Sequence, residues 1–266
     1  MRLFKISYQD QPASDTRCDC FDPYDYDPNY PRGTKIKINN TELKVHADTQ
    51  DRECKAWREL LYLIDEAAKD KREVFEPAKE LGLENWKSIE TLPREIAKLK
   101  NVKHLMLYSS HLTWIPPEIG EMESLERFTP YTSYKLHWFP YEIIKCKNLR
   151  DSCVSTRTLY GNIKYRIPFP NLDGNPVQLY KDYATCSVCG TQAPEHGLNQ
   201  LWISLRVATD VLPLLVHTCS QNCIDSLPVP SENYVQRAHK GGINLVQPET
   251  EYEMRLKRRG LNRPES

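Results

Sequence analysis

The feature that most constrains this chain is a phrase that occurs three times in its middle third. Each copy places a proline two positions before a Glu–Ile pair and ends in an apolar residue, and the copies span residues 92–102, 115–125 and 139–149. Their prolines are Pro93, Pro116 and Pro140, which gives a period of 23 and then 24 residues. A period of this length predicts a stack of similar units, each burying its apolar edge only against its neighbours.

The apolar positions around these copies resemble the intracellular leucine-rich repeat, whose pattern is Leu-x-x-Leu-x-Leu-x-x-Asn-x-Leu. The clearest unit matches at Val102, Leu105, Leu107 and Leu112, with Ser110 where the family prefers Asn. The other units match more loosely, at Leu81, Leu83 and Ile89, at Leu125, Phe128, Pro130 and Leu136, and from Leu149 onward. The resemblance covers about residues 78–157 and implies a short solenoid with one short strand per unit.

Two details of the repeats carry structural expectations. Pro130 stands in place of a strand leucine and removes a backbone donor, so we expect a weakened or distorted strand there. The Pro-x-Glu-Ile segments suit short helix or 3₁₀ turns on the opposite, convex side, because proline at a first helical turn loses no useful hydrogen bond.

The residues before the repeats are expected to cover the apolar edge of the first unit. Residues 36–38 and 43–45 alternate apolar and polar around Asn39-Asn40, which predicts a β-hairpin. A helix over about 51–69 should follow, capped by Asp48 or Thr49. Its buried stripe is expected at helical spacing, comprising Cys54, Trp57, Leu60, Leu61, Ile64 and Ala68.

Four cysteines in two short-spaced pairs carry the metal signal: Cys186, Cys189, Cys219 and Cys223. Strand-like runs at 201–207 and 211–216 lie between the pairs, and Cys219 opens a short helix; this order resembles a treble-clef zinc site. Four thiolates predict a closed, structural zinc site. His217 or His196 is a weaker alternative ligand.

The other five cysteines have less specific spacing. Cys18 and Cys20 are either half of a second metal site or part of a mobile acidic segment, and the latter is favoured. Cys54, Cys146 and Cys153 are expected to be buried thiols.

Composition and motifs argue against several function classes. Lys plus Arg equals Asp plus Glu at 36 each, so no overall field favours nucleic acid or an acidic membrane. No apolar run reaches the roughly 18 residues of a membrane span, so we expect a soluble, cytoplasmic protein without a membrane partner. Nucleotide-binding and hydrolase motifs are missing from the sequence, so a non-enzymatic role is expected.

A partner protein is the expected ligand. Side chains between and after the strand leucines should share the concave face, namely His104, Met106, Tyr108, Arg127, Thr129 and Tyr131. Such residues are enriched at protein interfaces. Alternatively, the acidic, tyrosine-rich segment 18–31 covers this face. A second candidate patch comprises Tyr131, Tyr134, His137 and Trp138.

The fold class expected is α/β: a short leucine-rich repeat solenoid with an N-terminal hairpin-helix cap and a small C-terminal zinc-binding α+β module. The expected divisions are an N-terminal cap (1–75), repeats (76–157), a connecting loop (158–180), the zinc module (181–250) and a basic tail (251–266). Such a protein could be an adaptor or an inhibitor or immunity-type protein. The alternative function is nucleic-acid binding by the zinc module and the tail.

Overall fold

The computed structural model describes residues 21–22, 37–38, 42–173, 176–177, 185–195 and 197–260. Over these residues the chain is a mixed α/β protein with one all-parallel sheet, one mixed sheet and a two-stranded antiparallel pair. The described strands form no closed barrel. None of the helices in these ranges is both long and apolar enough to cross a bilayer.

The N-terminal strands pair differently from the sequence prediction. Strand β1 (Phe21–Asp22) pairs antiparallel with β2 (Lys37–Ile38), whereas residues 43–45 lie outside any strand. The predicted hairpin between 36–38 and 43–45 is therefore wrong. Leu43 instead buries its side chain in a cluster with Trp114 and Trp138. The apolar residue that suggested a strand at 43–45 therefore anchors this segment to the core.

Helix α1 (Lys55–Lys69) is shorter than expected and has a different cap. The Cys54 sulfur accepts a hydrogen bond from the Trp57 N–H, so neither Asp48 nor Thr49 is the N-cap. The predicted stripe is confirmed at Trp57, Leu60 and Ile64. Cys54, Leu61 and Ala68 are only partly buried, and Ala56 and Ala67 are buried as well. Through this stripe α1 joins the core below the parallel sheet.

Four short strands form the parallel sheet in the order β3 (Val74–Phe75), β4 (His104–Met106), β5 (Arg127–Thr129) and β7 (Asp151–Ser152). The register places Val74, His104, Arg127 and Asp151 in one row. The inward residues Phe75, Leu105 and Phe128 are fully buried. Paired residues in successive strands are 30, 23 and 24 positions apart in the sequence. The last two separations equal the 23- and 24-residue spacing of the prolines.

The first strand lies earlier than the sequence suggested. Residues 81–83 form no strand; short helices α2 (Pro77–Leu81) and α3 (Leu83–Lys87) occupy this region. Gly82 separates them with φ +77°, in the left-handed region that favours glycine. Leu83 is 41% exposed, so its apparent match to a repeat leucine was misleading.

The Pro-x-Glu-Ile segments form 3₁₀ turns, as predicted. They span Arg94–Lys98, Pro117–Glu121 and Tyr141–Lys145, and each buries its isoleucine. Neighbouring turns pack closely: a Cβ on Gly120 would lie 2.5 Å from the Glu142 carbonyl oxygen. The residues just before the third turn also form strand β6 (Phe139–Pro140), which the sequence did not predict.

Hydroxyl side chains connect successive units below the sheet. The buried Ser110 hydroxyl donates to Ser133 Oγ at 2.6 Å, and Ser133 donates to the Leu107 carbonyl at 3.0 Å.

Pro130 follows β5 directly, and β5 pairs with β4 over three residues but with β7 over only two. Because alternate residues of a strand face the same neighbour, the missing N–H of Pro130 falls on the β7 side. The distortion expected at Pro130 is thus confined to one ladder.

A long hairpin follows, formed by β8 (Asn199–Val207) and β9 (Asp210–Thr218) and leading to α4 (Gln221–Asp225). These elements confirm the predicted strands and short helix. Strand β9 pairs in parallel with β6. Inward side chains of the hairpin belong to the same buried cluster as α1 and the parallel sheet, among them Ile203, Leu205 and Leu214. The hairpin therefore shares the core of the repeats.

Residues 159–173 contain no helix or strand, yet they are well packed. Tyr160, Ile167 and Phe169 form a second core with Trp138 and Trp202. Helix α5 (Glu251–Arg258) ends the described chain and begins with a capping box between Thr250 and Glu253. The domain boundaries expected from the sequence remain predictions.

Candidate functional site

The four cysteines of the two short-spaced pairs come together at the open end of the β8–β9 hairpin. Cys186 and Cys189 lie on a tight turn closed by a hydrogen bond from the Gly190 N–H to the Cys186 carbonyl at 2.9 Å. Gly190 has φ +73°, so this turn depends on glycine. Cys219 directly follows β9, and Cys223 lies in α4, whose cap is the Ser220 hydroxyl.

The spacing of the sulfur atoms fits a tetrahedral metal ion. All four Sγ atoms lie within 4.8 Å of one another, and Cys219 Sγ lies 3.6 Å from Cys189 and 3.7 Å from Cys223. Zinc–sulfur bonds of about 2.3 Å in a tetrahedron place sulfurs about 3.8 Å apart. The cluster is therefore a possible site for a metal ion.

The protonation of these thiols also favours a cation. Cys189 Sγ and the Thr191 hydroxyl form a hydrogen bond of 3.2 Å, and this bond is the largest cause that lowers the pKa of Cys189 to about 6. Hydrogen bonds to Cys189 and Cys223 raise the pKa of Cys219 to about 12. A divalent cation bound by these sulfurs would displace the protons that remain on the thiols. Sequence reasoning did not identify Thr191.

Among the residues that the structure describes, the other candidate ligands do not join this cluster. His217 is buried, its Nε2 contacts the Gln200 amide at 3.1 Å, and burial lowers the pKa of its ring to about 4. Cys146 is buried in the core, as expected, whereas Cys54 caps α1 and is only partly buried. Cys153 is exposed rather than buried. His196, Cys18 and Cys20 lie outside the described residues.

The second candidate site is the outer surface of the parallel sheet. The register sets His104 beside Arg127 and Met106 beside Thr129, and the rings of Tyr108 and Tyr131 lie 6.1 Å apart. These six side chains, called the sheet face below, are partly or fully exposed. They alternate with the buried Leu105 and Phe128, so all six point away from the core.

Arg127 is the distinctive charge of the sheet face. Just below it, Lys103 pairs with Glu73 and Arg150 pairs with Glu126, but Arg127 makes no ion pair with any residue that the structure describes. His104 accepts or donates a hydrogen bond to the Thr129 hydroxyl at 2.9 Å. Burial, and next the charge of Arg127, lower the pKa of His104, so its ring is neutral near pH 7.

Two of the four residues of the second aromatic patch are buried, whereas Tyr131 and Tyr134 are partly exposed. His137 and Trp138 are 0% and 1% exposed, and Trp138 packs edge-on against Trp202. Both rings pack in or against the second core. The prediction is therefore wrong for His137 and Trp138, because the repeat pattern did not show that residues 159–173 and β8 bury these two positions.

Sequence reasoning also missed a histidine pair. His46 Nε2 lies 3.1 Å from His137 Nε2, although the two residues are 91 positions apart. Burial, followed by the charge of His46, lowers the pKa of His137 to about 3. No local spacing or motif relates the two residues, so only the fold brings them together.

Comparison with known proteins gives no assignment: no protein-family model matches the chain, and no curated protein matches its sequence.

Proposed function

We propose that this protein is a non-enzymatic protein-interaction module. It would be a short solenoid of the leucine-rich repeat type, with a structural zinc ion in the cysteine cluster and a partner protein bound on the sheet face. An adaptor or an inhibitor or immunity-type protein would fit this architecture, in the cytoplasm.

The observation that carries the proposal is the composition of the sheet face. Short parallel strands at a 23–24-residue period bring an exposed arginine, two neighbouring tyrosines and a methionine onto one surface. Tyrosine and arginine are the residues that most often dominate interface energies. An arginine without an ion pair among the described residues can bond a partner's carboxylate without first breaking an internal pair.

Zinc is the metal that the cysteine cluster fits best. Four thiolates at tetrahedral spacing are the ligand set of structural zinc, and they leave no open position for a catalytic water. The raised pKa of the exposed Cys153, caused by partial burial and by Asp210 and Asp151, keeps this thiol protonated. Both points support the non-enzymatic proposal.

The nucleic-acid alternative has less support. The basic residues of α5 lie beside acids: Arg255 pairs with Glu251 and Lys257 pairs with Glu249. Retention on heparin or DNA that falls with salt and requires residues 252–266 would favour this alternative over ours.

The interface is tested by the double variant Tyr108→Ala/Arg127→Ala. Tagged wild-type protein and the variant are used for affinity capture from the native host, and captured proteins are quantified by mass spectrometry. We expect a specific partner to be lost from the variant while thermal unfolding changes little. The matched control is Tyr62→Ala/Arg58→Ala, which removes the same residue types from the exposed side of α1. Partner capture that persists in the first variant places the interface elsewhere.

The metal is tested separately. Cys189→Ser should release one zinc ion per chain and lower the unfolding midpoint, because the cluster closes the end of the hairpin. Unchanged zinc content would contradict the assignment.

A further inference from the structure

The four cysteines of the cluster are not equally accessible to solvent. Cys186 and Cys223 are 1% and 8% exposed, whereas Cys189 is exposed and Cys219 is partly exposed. The two accessible sulfurs are also neighbours, because Cys189 Sγ lies 3.6 Å from Cys219 Sγ. The cluster therefore has a buried half and an accessible half, and a small reagent in solution reaches the accessible half first.

Small or polar residues follow both cysteines of the accessible half. Gly190 and Thr191 come after Cys189, Ser220 comes after Cys219, and all three are exposed. The Thr191 hydroxyl and Cys189 Sγ are joined by a hydrogen bond of 3.2 Å. Metal ligation requires the thiolate form, which has no hydrogen to give, so in a loaded site the hydroxyl would be the donor. Such a bond stabilises the negative charge on Cys189 and reduces its reactivity as a nucleophile.

An accessible thiolate beside a second thiol is the arrangement that peroxides oxidise to a disulfide. Exposure selects Cys189 as the first thiol to react, and the short distance selects Cys219 as its partner. Cys186 is the rival partner, but its turn is held by hydrogen bonds on both sides, from its N–H to the Thr191 carbonyl at 2.8 Å and from the Gly190 N–H to its own carbonyl at 2.9 Å. Cys219 lies on the bend between β9 and α4. Its sulfur needs to approach Cys189 by only about 1.5 Å to reach a bond length of about 2.0 Å.

We propose that Cys189 and Cys219 are a site of reversible oxidation by hydrogen peroxide, and that their disulfide releases the metal ion from the cluster. The Cys189 thiolate attacks one peroxide oxygen, the oxygen–oxygen bond breaks, hydroxide leaves, and Cys189 becomes a sulfenic acid. The Cys219 thiolate then attacks the Cys189 sulfur, the sulfur–oxygen bond breaks, and a second hydroxide leaves as the disulfide forms. The two thiolates lose two electrons in total, and these reduce one peroxide to two hydroxide ions.

The release of metal rests on the proposed zinc site, whereas the disulfide itself does not require the ion. Oxidation would remove two of the four sulfur ligands and leave Cys186 and Cys223, too few for the closed coordination of structural zinc. The hairpin would stay in place, since Ile203 and Leu214 remain in the core that it shares with the repeats. Exchange with a dithiol reductant would restore both cysteines and leave the reductant as a disulfide.

The test treats the full chain with one molar equivalent of hydrogen peroxide at neutral pH. Zinc is counted beforehand by inductively coupled plasma mass spectrometry, its release is followed with a chromogenic indicator, and non-reducing peptide mapping by tandem mass spectrometry locates the disulfide. We expect a Cys189–Cys219 disulfide, the release of one zinc ion per chain, and recovery of both thiols with dithiothreitol. A disulfide between Cys186 and Cys189, or a cluster that keeps its four thiols, would overturn the proposal.

Two variants identify the reacting thiol without removing a ligand. Thr191→Val keeps the shape of the side chain and removes its hydroxyl, so zinc release should become about two- to fivefold faster, the factor that part or all of one ordinary hydrogen bond corresponds to. An unchanged rate would mean that a sulfur other than Cys189 reacts first. Cys153→Ser is the matched control, because Cys153 is the other exposed cysteine of the described residues. It should show the wild-type rate and the same disulfide, and slower release would instead place the first oxidation at Cys153.

The same experiment separates this proposal from that of structural zinc. A wild-type chain without zinc would remove the structural zinc proposal, and the disulfide mapping on that sample would still decide whether Cys189 and Cys219 are the oxidised pair. A zinc-loaded chain that forms no Cys189–Cys219 disulfide would remove the oxidation site and leave the zinc site intact.

Discussion

Replacing Gly120 with alanine should destabilise this protein, although alanine usually stabilises a helical turn. Gly120 lies in the 3₁₀ turn Pro117–Glu121, under the following turn. An added Cβ would lie 2.5 Å from the Glu142 carbonyl oxygen, 2.9 Å from its Cβ and 3.1 Å from its carbonyl carbon. These atoms belong to the backbone or are fixed to it. The clash can be relieved only if the neighbouring turn moves as a whole.

The magnitude follows from two opposing effects. Alanine in place of glycine gains about 0.4–1 kcal/mol by restricting the unfolded chain, whereas forcing extra volume into a packed site costs typically about 1–3 kcal/mol. Because the contact is with backbone at 2.5 Å, we take the upper part of that range. The net loss is then about 1–2 kcal/mol in the free energy of unfolding.

Urea unfolding followed by tryptophan fluorescence measures this loss, and a melting curve should shift by about 2–4 °C per kcal/mol. Ala97 occupies the equivalent position in the preceding turn and is the matched control: Ala97→Gly should cost about 0.5–1 kcal/mol from chain entropy. If Gly120→Ala is as stable as the wild type or more so, the turns do not approach each other closely, and the packing argument fails.

Three further changes test separate parts of the fold by the same urea assay. Ser133→Ala leaves the Ser110 hydroxyl and a buried carbonyl without their partner and should cost about 1–3 kcal/mol; a neutral result would show that water replaces it. Arg166→Lys should cost about 2 kcal/mol, because one ammonium cannot replace a guanidinium that bonds three separate carbonyls; wild-type stability would contradict this. Burial lowers the pKa of the His239 ring to about 4 in the folded protein, whereas the unfolded chain has the ordinary value near 6.5. The unfolded chain therefore takes up the proton first as the pH falls below 6.5. The free energy of unfolding should drop by about 2–3 kcal/mol by about pH 4.5. His239→Gln should reduce that pH dependence, and an unchanged slope would refute the assignment.

The period of the prolines predicted the central architecture because it reflects local chemistry. A proline with fixed φ two positions before Glu–Ile suits a 3₁₀ turn wherever it occurs, and each isoleucine is buried. The strands β4 and β5 follow from the same pattern. The first strand did not, because Val74 is followed by two short helices whose leucines imitate the repeat spacing.

The cysteine cluster was predictable for a similar reason. Two pairs with metal-ligand spacing on either side of a hairpin need only the hairpin to bring them together, and alternation of apolar residues indicates that hairpin. The histidine pair could not be predicted, since His46 and His137 meet only through the packing of Leu43 and the segment after the repeats. Long-range packing also explains why Trp138 is core rather than surface.

The position of the hairpin relates the two candidate sites. Strand β7 ends the parallel sheet, and an open edge of this kind invites unwanted pairing. Here the hairpin turn covers it: Ser152 donates its N–H to Thr209 Oγ1 at 3.1 Å and its hydroxyl to Asp210 Oδ2 at 2.7 Å. The cysteine cluster holds the opposite end of the same two strands. A metal ion there would fix the hairpin at one end while its turn fixes the last strand of the sheet at the other. The row that contains Phe128 and Ser152 therefore continues into the hairpin turn, so the hairpin that holds this edge of the sheet carries the cysteine cluster at its other end.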